Sequence, residues 1–358
     1  MATVVLAGGG TAGHVEPALA VARQWKISHP EDRLVFLGTS TGLETTLVPA
    51  ANFELHLIPR VRISRRPSAS WLNIPFDLIS AVLESKKIIK MADVVIGFGG
   101  YVSAPAYIAA QISGVPIVIH EANAKPGWAN RLGAAFSEHL AVAHPVDSGK
   151  FEHALLAGLP LRSDVAKAFN DSQPDWNAAR RAAKLRLGFP ADVPLIFVMG
   201  GSQGSVAINK VIESSVEMFN KQGLSVLHSV GKLNALPQAK GGYKPVAYVD
   251  AMADAYLAAD LIIGRSGAVT CSEFRALGRY ALFVPLPIGN GEQFVNAASL
   301  VADNRAEVIS QKQFTADFLN SHIAGLLAKS AAAPLGGNGA DLHAAEKIVA
   351  LTEFAMKP

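Results

Sequence analysis

Four glycine-rich loops are the parts of this sequence whose residue types and spacing can do chemistry. They are Gly8-Gly9-Gly10-Thr11-Ala12-Gly13-His14, Gly97-Phe98-Gly99-Gly100-Tyr101, Gly200-Gly201-Ser202-Gln203-Gly204 and Gly264-Arg265-Ser266-Gly267-Ala268, each just after a short apolar run. Backbone N–H groups at a helix N-terminus attract anions, so such loops can hold phosphate, and Ser202 adds a hydroxyl donor. A tight turn that simply needs glycine explains any one of them, but four at strand ends are more than turn chemistry requires. Gly8, Gly10 and Gly13 also satisfy G-x-G-x-x-G, the dinucleotide fingerprint, which needs an acidic residue at the end of the following strand. Here that strand, Leu34–Leu37, runs into Gly38-Thr39-Ser40-Thr41-Gly42 with no acid, so NAD or FAD is the second choice. Glu273 follows Ser266 by about two helical turns and can accept two ribose hydroxyls at once, unless it is an ordinary helix-surface carboxylate. With no Cys pair, no H-E-x-x-H and no D-x-D in the chain, no metal or other cofactor is expected, and helix N-termini with an arginine would handle leaving-group charge.

The elements that must position these loops are legible as alternating apolar runs and helical patterns. Strands are predicted at Val4–Leu6, Leu34–Leu37, Leu55–Ile58, Val94–Ile96, Ile117–Ile119 and Leu140–Ala143, then again at Leu195–Met199, Ser225–Ser229, Val246–Val249, Leu261–Ile263, Ala281–Val284 and Glu307–Ile309. Helices fit between them at Pro17–Trp25, Pro75–Met91, Val206–Gln222 and Phe294–Asp303. That alternation implies two α/β units, each a parallel doubly wound sheet, with ligands at the carboxyl ends of the strands in a cleft between the units. The boundary is placed near Gly158-Leu159-Pro160, followed by a polar, helix-poor stretch from Ala166 to Ala179. The last helix, Ala340–Met356, is expected to cross back, giving a first unit of residues 1–161 plus 340–358 and a second of 162–339.

Composition fits two buried cores: 358 residues, 50% hydrophobic and 17% charged, with one cysteine, Cys271. A lone cysteine cannot form an intrachain disulfide, and a reducing cytosol is its natural compartment. No signal peptide is read at the N-terminus. Val94 to Ile119 is uncharged and long enough to span a bilayer, but Gly97, Gly99, Gly100, Pro105, Gly114 and Pro116 interrupt it, so strand, turn, helix and strand fit better. The net charge of +3 implies no nucleic acid partner; the one basic region is Arg60–Lys90, with seven Lys and Arg against Asp77 and Glu84.

Seven motifs together resemble the MurG family, bacterial transferases that add N-acetylglucosamine to lipid I to make lipid II. They are G-G-T-A-G-H-V-E-P from Gly9, G-F-G-G-Y-V-S-A-P from Gly97, H-E-A-N from His120, G-L-P-L-R from Gly158, G-G-S-Q-G from Gly200, R-S-G-A-V-T-C-S-E from Arg265 and G-N-G-E-Q-F-V-N-A from Gly289. Their style is similar to the actinobacterial branch. The resemblance implies a GT-B fold of two facing Rossmann-like domains, donor on the C-terminal one and acceptor on the N-terminal one, and inversion by direct displacement. Carried over by position, Ser202 would hold donor phosphates and Val249 would read the uracil through its backbone. Ala268, Val269 and Thr270 would line the diphosphate, Glu273 would take the ribose, and Arg162 would reach the nucleotide. Asn123, Glu292 and Gln293 would contact the transferred sugar, and Thr11 and Gly13 would also bind the donor; Thr11, His14 and Tyr101 would face the acceptor. The family usually has glutamine where Glu292 stands, so the sugar contact there must be rearranged, because a carboxylate cannot donate.

A hydroxyl attacking an anomeric carbon needs a base. His14 is the first choice, since the positive end of the helix it enters disfavours imidazolium, although it could only hydrogen-bond backbone or diphosphate. Glu121 is the second choice, or a buried support. The acceptor is a polyprenyl lipid, so peripheral docking on the cytoplasmic face of the cell membrane is expected. Arg65, Arg66, Trp71, Leu72 and Phe76 would meet an anionic membrane surface. Expected partners are UDP-N-acetylglucosamine (UDP-GlcNAc), lipid I and other cell-wall synthesis or division proteins. A UDP-sugar 2-epimerase of the same fold and a non-catalytic nucleotide-sugar module are the alternatives.

Overall fold

The computed structural model describes residues 1–61, 74–201, 203–287 and 291–357. Contacts divide the chain into two compact units, Met1–Arg162 with Asp341–Pro358, and Ser163–Ala340. Each boundary lies one residue beyond the expected one.

Among the described residues the first unit holds seven strands: β1 (Thr3–Ala7), β2 (Arg33–Gly38), β3 (Glu54–Leu57), β4 (Val94–Gly97), β5 (Ile117–Glu121), β6 (His139–Val142) and β7 (Leu155–Leu156). All pair in parallel in the order β3-β2-β1-β4-β5-β6-β7. β1 and β4 are buried along nearly their whole length, as strands covered on both faces must be. One face packs on the helices Ile74–Ile89 and Ser103–Ser113, the other on Ala12–Ser28 and the C-terminal helix Ala344–Ala355. That last helix buries Ile348 and Val349 against the core of the first unit. The uncharged stretch from Val94 is a strand, a glycine turn, an eleven-residue helix and a second strand. Among the described residues no helix is long and apolar enough to cross a membrane.

The second unit holds β8 (Leu195–Met199), β9 (Ser225–Ser229), β10 (Tyr243–Val246), β11 (Leu261–Gly264), β12 (Ala281–Phe283) and β13 (Ala306–Val308), parallel in the order β10-β9-β8-β11-β12-β13. Three expectations are corrected. The stretch read as helix-poor forms two helices, Ser163–Ser172 and Trp176–Arg186. They bury only Val165, Phe169 and Ala183 from their apolar stripes, and Asp175 caps the second by accepting from Ala178 N at 2.9 Å; so few apolar positions leave a weak pattern. β10 starts three residues earlier than expected and contains Pro245; at a sheet edge a proline is tolerated. The single predicted helix Val206–Gln222 is broken at Ser215 into two.

In both sheets the strand order reverses beside the first strand, between β1 and β4 and between β8 and β11. The four glycine loops are the connections leaving these strands. A doubly wound sheet opens a crevice for ligand at this point, because adjacent connections there run to opposite faces.

Candidate active site

In the first unit the crevice is lined by residues after β1 and β4. Gly10 takes φ +88°, and Gly99 and Gly100 take +89° and +81°. At Gly100 a Cβ would also lie 2.8 Å from the Gly9 carbonyl and 3.0 Å from His14 Nδ1, so glycine is required for both conformation and space. Their close approach surrounds His14 at the third position of its helix. His14 Nδ1 lies 3.1 Å from the Gly9 carbonyl and 3.3 Å from Thr11 Oγ1. A carbonyl only accepts, so Nδ1 carries the proton and Nε2 keeps a lone pair. Desolvation lowers the His14 pKa, against the opposing pull of the Glu121 charge, the Gly9 bond and the Glu44 charge. A neutral ring with an accepting Nε2 is what a general base requires.

Glu121, at the end of β5, is 2% exposed. Its Oε1 accepts from Asn123 N at 2.8 Å and Asn123 Nδ2 at 3.1 Å. Its Oε2 accepts from Gly127 N and Asn130 Nδ2, both at 2.9 Å. With both oxygens already accepting from four donors, this carboxylate is poorly placed to take a substrate proton. Glu121 thus positions the loop that carries Asn123 and the helix Trp128–Gly133 behind it. Asn130 is held in turn by Tyr107 Oη, which donates to Asn130 Oδ1 at 2.7 Å. Tyr101 is 40% exposed at the crevice rim, and Thr11 and Gly13 lie at the mouth of the first loop.

Glu44 was missed in the sequence. It is fully buried, and accepts from Gly10 N at 2.8 Å, Thr39 N at 2.8 Å and Thr39 Oγ1 at 3.1 Å. An acid therefore does follow the second strand, but it bonds to the glycine loop itself. It occupies the Gly10 N–H that a dinucleotide pyrophosphate would take and sets a negative charge beside it, which disfavours the NAD or FAD reading.

The second unit's crevice is built around Arg265. This guanidinium is 9% exposed and donates to the Val284 and Pro285 carbonyls at 2.7 and 3.0 Å, to Ser205 Oγ at 2.8 Å and to Gln311 Oε1 at 2.7 Å. It ties together the ends of β8, β11 and β12. Gly204 is fixed against Val230, whose carbonyl would lie 1.9 Å from an added Cβ, while Gly201 opens to space at φ +89°. Among the described residues, helix Ala268–Ala276 starts after Gly267 with no side-chain cap, and Ser266 Oγ beside it is buried without a hydrogen-bond partner. Uncapped N–H groups of Ala268, Val269 and Thr270 beside this hydroxyl are the chemistry that can bind an anion. Ser266 is a second residue that the motif reading left out of the site; a hydroxyl inside a glycine loop at a strand end was its signal.

Glu273 is 2% exposed in the same helix, and Val249 is 6% exposed just beyond β10. Glu292 opens the helix Glu292–Asn296 after Gly291 at φ +78°, and Gln293 Oε1 accepts from Leu286 N at 2.9 Å, which holds that short helix to the end of β12. Arg162 is the last residue of the first unit. Ser202, Arg65, Arg66, Trp71 and Leu72 lie outside the described residues. Cys271, buried in the donor-side helix, has its thiol pushed up to about 12 by desolvation and stays protonated. Among the described residues no group of three or more His, Cys, Asp or Glu is placed to hold a metal ion.

Two doubly wound parallel sheets, each with paired glycine loops at its switch point, have the architecture of glycosyltransferases of the GT-B class. The glycosyltransferase family 28 N-terminal domain matches residues 4–142, and the family's C-terminal domain matches residues 195–347. The chain is 46% identical over 318 residues to a Corynebacterium glutamicum protein named UDP-N-acetylglucosamine--N-acetylmuramyl-(pentapeptide) pyrophosphoryl-undecaprenol N-acetylglucosamine transferase, covering 88% of this chain and 86% of that one. A Thermobifida fusca protein of the same name is 41% identical over 97% of this chain and 94% of its own. The crystal structure of Acinetobacter baumannii MurG aligns with a TM-score of 0.69 at 27% identity, over 98% of this chain and 100% of that one. The chain belongs to this family of N-acetylglucosamine transferases.

Proposed function

We propose that the chain moves N-acetylglucosamine from UDP-GlcNAc to the 4-hydroxyl of the N-acetylmuramyl sugar of lipid I, giving lipid II with inversion at the anomeric carbon. The observation that carries this reading is His14, held neutral with Nε2 as its accepting nitrogen. His14 Nε2 takes the proton of the attacking hydroxyl as the new C–O bond forms. The anomeric C–O bond to the diphosphate breaks, and UDP leaves with the bonding electrons. Its developing charge falls to the helix opening at Ala268, the Ser266 hydroxyl and the loop from Gly200. Glu273 takes the ribose. No divalent ion has a step in this scheme. Incubation with UDP-GlcNAc in EDTA should release UDP only when lipid I is added. Turnover without acceptor would favour an epimerase, and loss of activity restored by magnesium would overturn the metal-free scheme.

The acceptor lives in a bilayer, and helix Ile74–Ile89 supports peripheral docking. Phe76, Ile79 and Leu83, spaced three and four residues apart on one face, are 72%, 57% and 59% exposed, with Lys86, Lys87 and Lys90 at its end. An apolar face bordered by lysines lies at a bilayer surface with its charges on anionic headgroups. Phe76→Ser with Leu83→Ser should abolish flotation on anionic liposomes and leave UDP binding unchanged. Flotation equal to the parent's would place docking elsewhere.

A further inference from the structure

Trp128 stands at the first position of its helix and is 45% exposed, and Tyr101 faces it with ring centroids 6.1 Å apart at 49°. Two large aromatic rings left together at a surface mark a binding position more often than chance exposure, because each leaves apolar area in water. Residues on both sides of Trp128 are tied to one carboxylate: the Gly127 backbone N and the Asn130 side-chain Nδ2 both donate to Glu121 Oε2 at 2.9 Å. Tyr101 follows the Gly99-Gly100 turn, which packs on His14. The same two elements that enclose His14 therefore carry the pair. Asn130 Nδ2 would lie 3.3 Å from a Cβ on Gly99, and His14 Nε2 3.5 Å from it, so the Trp128 helix reaches the accepting nitrogen's surroundings.

We propose that Trp128 and Tyr101 form a stacking platform for the pyranose ring of the acceptor, with Trp128 a determinant of acceptor affinity. A pyranose presents C–H groups on its faces and hydroxyls on its rim; an indole and a phenol present π-faces with an N–H and an O–H at the edge. An acyl chain would have no use for those polar edges, and the exposed apolar face of helix Ile74–Ile89 already suits the bilayer. The platform belongs to the acceptor because it shares the first unit with His14, whose proton comes from the acceptor hydroxyl. Glu121 is then a positioning residue that acts through Trp128.

The inference rests on the transfer reaction proposed above, so the assay first establishes that the parent chain transfers to a water-soluble short-chain analogue of the acceptor; that result tests the reaction alone. In the same assay Trp128→Ala should raise the acceptor KM roughly 5- to 30-fold. The KM for UDP-GlcNAc and liposome flotation should stay unchanged, and Trp128→Phe should restore most of the acceptor KM. An unchanged acceptor KM in Trp128→Ala overturns the platform. So does a rise matched in the UDP-GlcNAc KM, which would make Trp128 a part of the fold, and so does loss of flotation, which would make it a lipid contact.

Discussion

His14→Ala should lower kcat by roughly 10²–10⁴-fold, the usual contribution of a general base, while leaving UDP-GlcNAc affinity within about two-fold, since the donor is held by other residues. The loss falls on chemistry because Nδ1 is spent on the Gly9 carbonyl, leaving Nε2 as the accepting nitrogen, and alanine has no group to replace it. The pH profile carries a second signature. Desolvation lowers the His14 pKa below 6.5, and the base must be unprotonated to act. Activity is therefore retained at neutral pH and is lost as the pH falls through that lowered value. Equal losses in kcat and donor affinity would make His14 a binding residue. Near-normal turnover would return proton transfer to water, because Glu121 has both oxygens engaged.

Glu273→Ala should weaken UDP binding by roughly 10²- to 10⁴-fold. Hydrogen bonds to a charged acceptor contribute about 1.5–3 kcal/mol each, and a ribose can supply two. The side chain is 2% exposed, so removal also leaves a space that the neighbouring uncapped helix start cannot fill. Glu273→Gln, which keeps the volume and one accepting oxygen, should fall between. Calorimetry giving the parent's affinity for UDP would contradict the ribose assignment.

The parts of the site that were legible in the sequence are those whose signal is local. A strand, its glycine turn and the helix that follows are consecutive in the chain, so the loops at Gly8, Gly97, Gly200 and Gly264 could be placed without knowing what pairs with what. His14 could be picked out because its helix start lies three residues away. Glu44 could not. Its partner Gly10 is 34 residues distant and comes within reach only because β1 and β2 lie side by side. Trp128 and Asn130 escaped for the same reason, since the motif ending at Asn123 gives no sign that Glu121 gathers the next seven residues around itself. Arg265 was visible as part of a motif, but its task of joining three strand ends depends on the order of the second sheet. The polar helices Ser163–Ser172 and Trp176–Arg186 failed a hydrophobicity pattern because each buries a narrow stripe. Pro245 hid the start of β10 because an edge strand obeys looser rules than a central one.

The central claim is that an acceptor hydroxyl displaces UDP directly at the anomeric carbon, and the linkage in the product tests it most directly. UDP-GlcNAc carries the sugar in the α configuration. Product made from lipid I should therefore contain a single added N-acetylglucosamine, β-linked to O4 of the muramyl sugar, as read by mass spectrometry and by the anomeric proton coupling in NMR. An acceptor methylated at that oxygen should give no product. An α-linked product, or transfer to the methylated acceptor, would contradict the account.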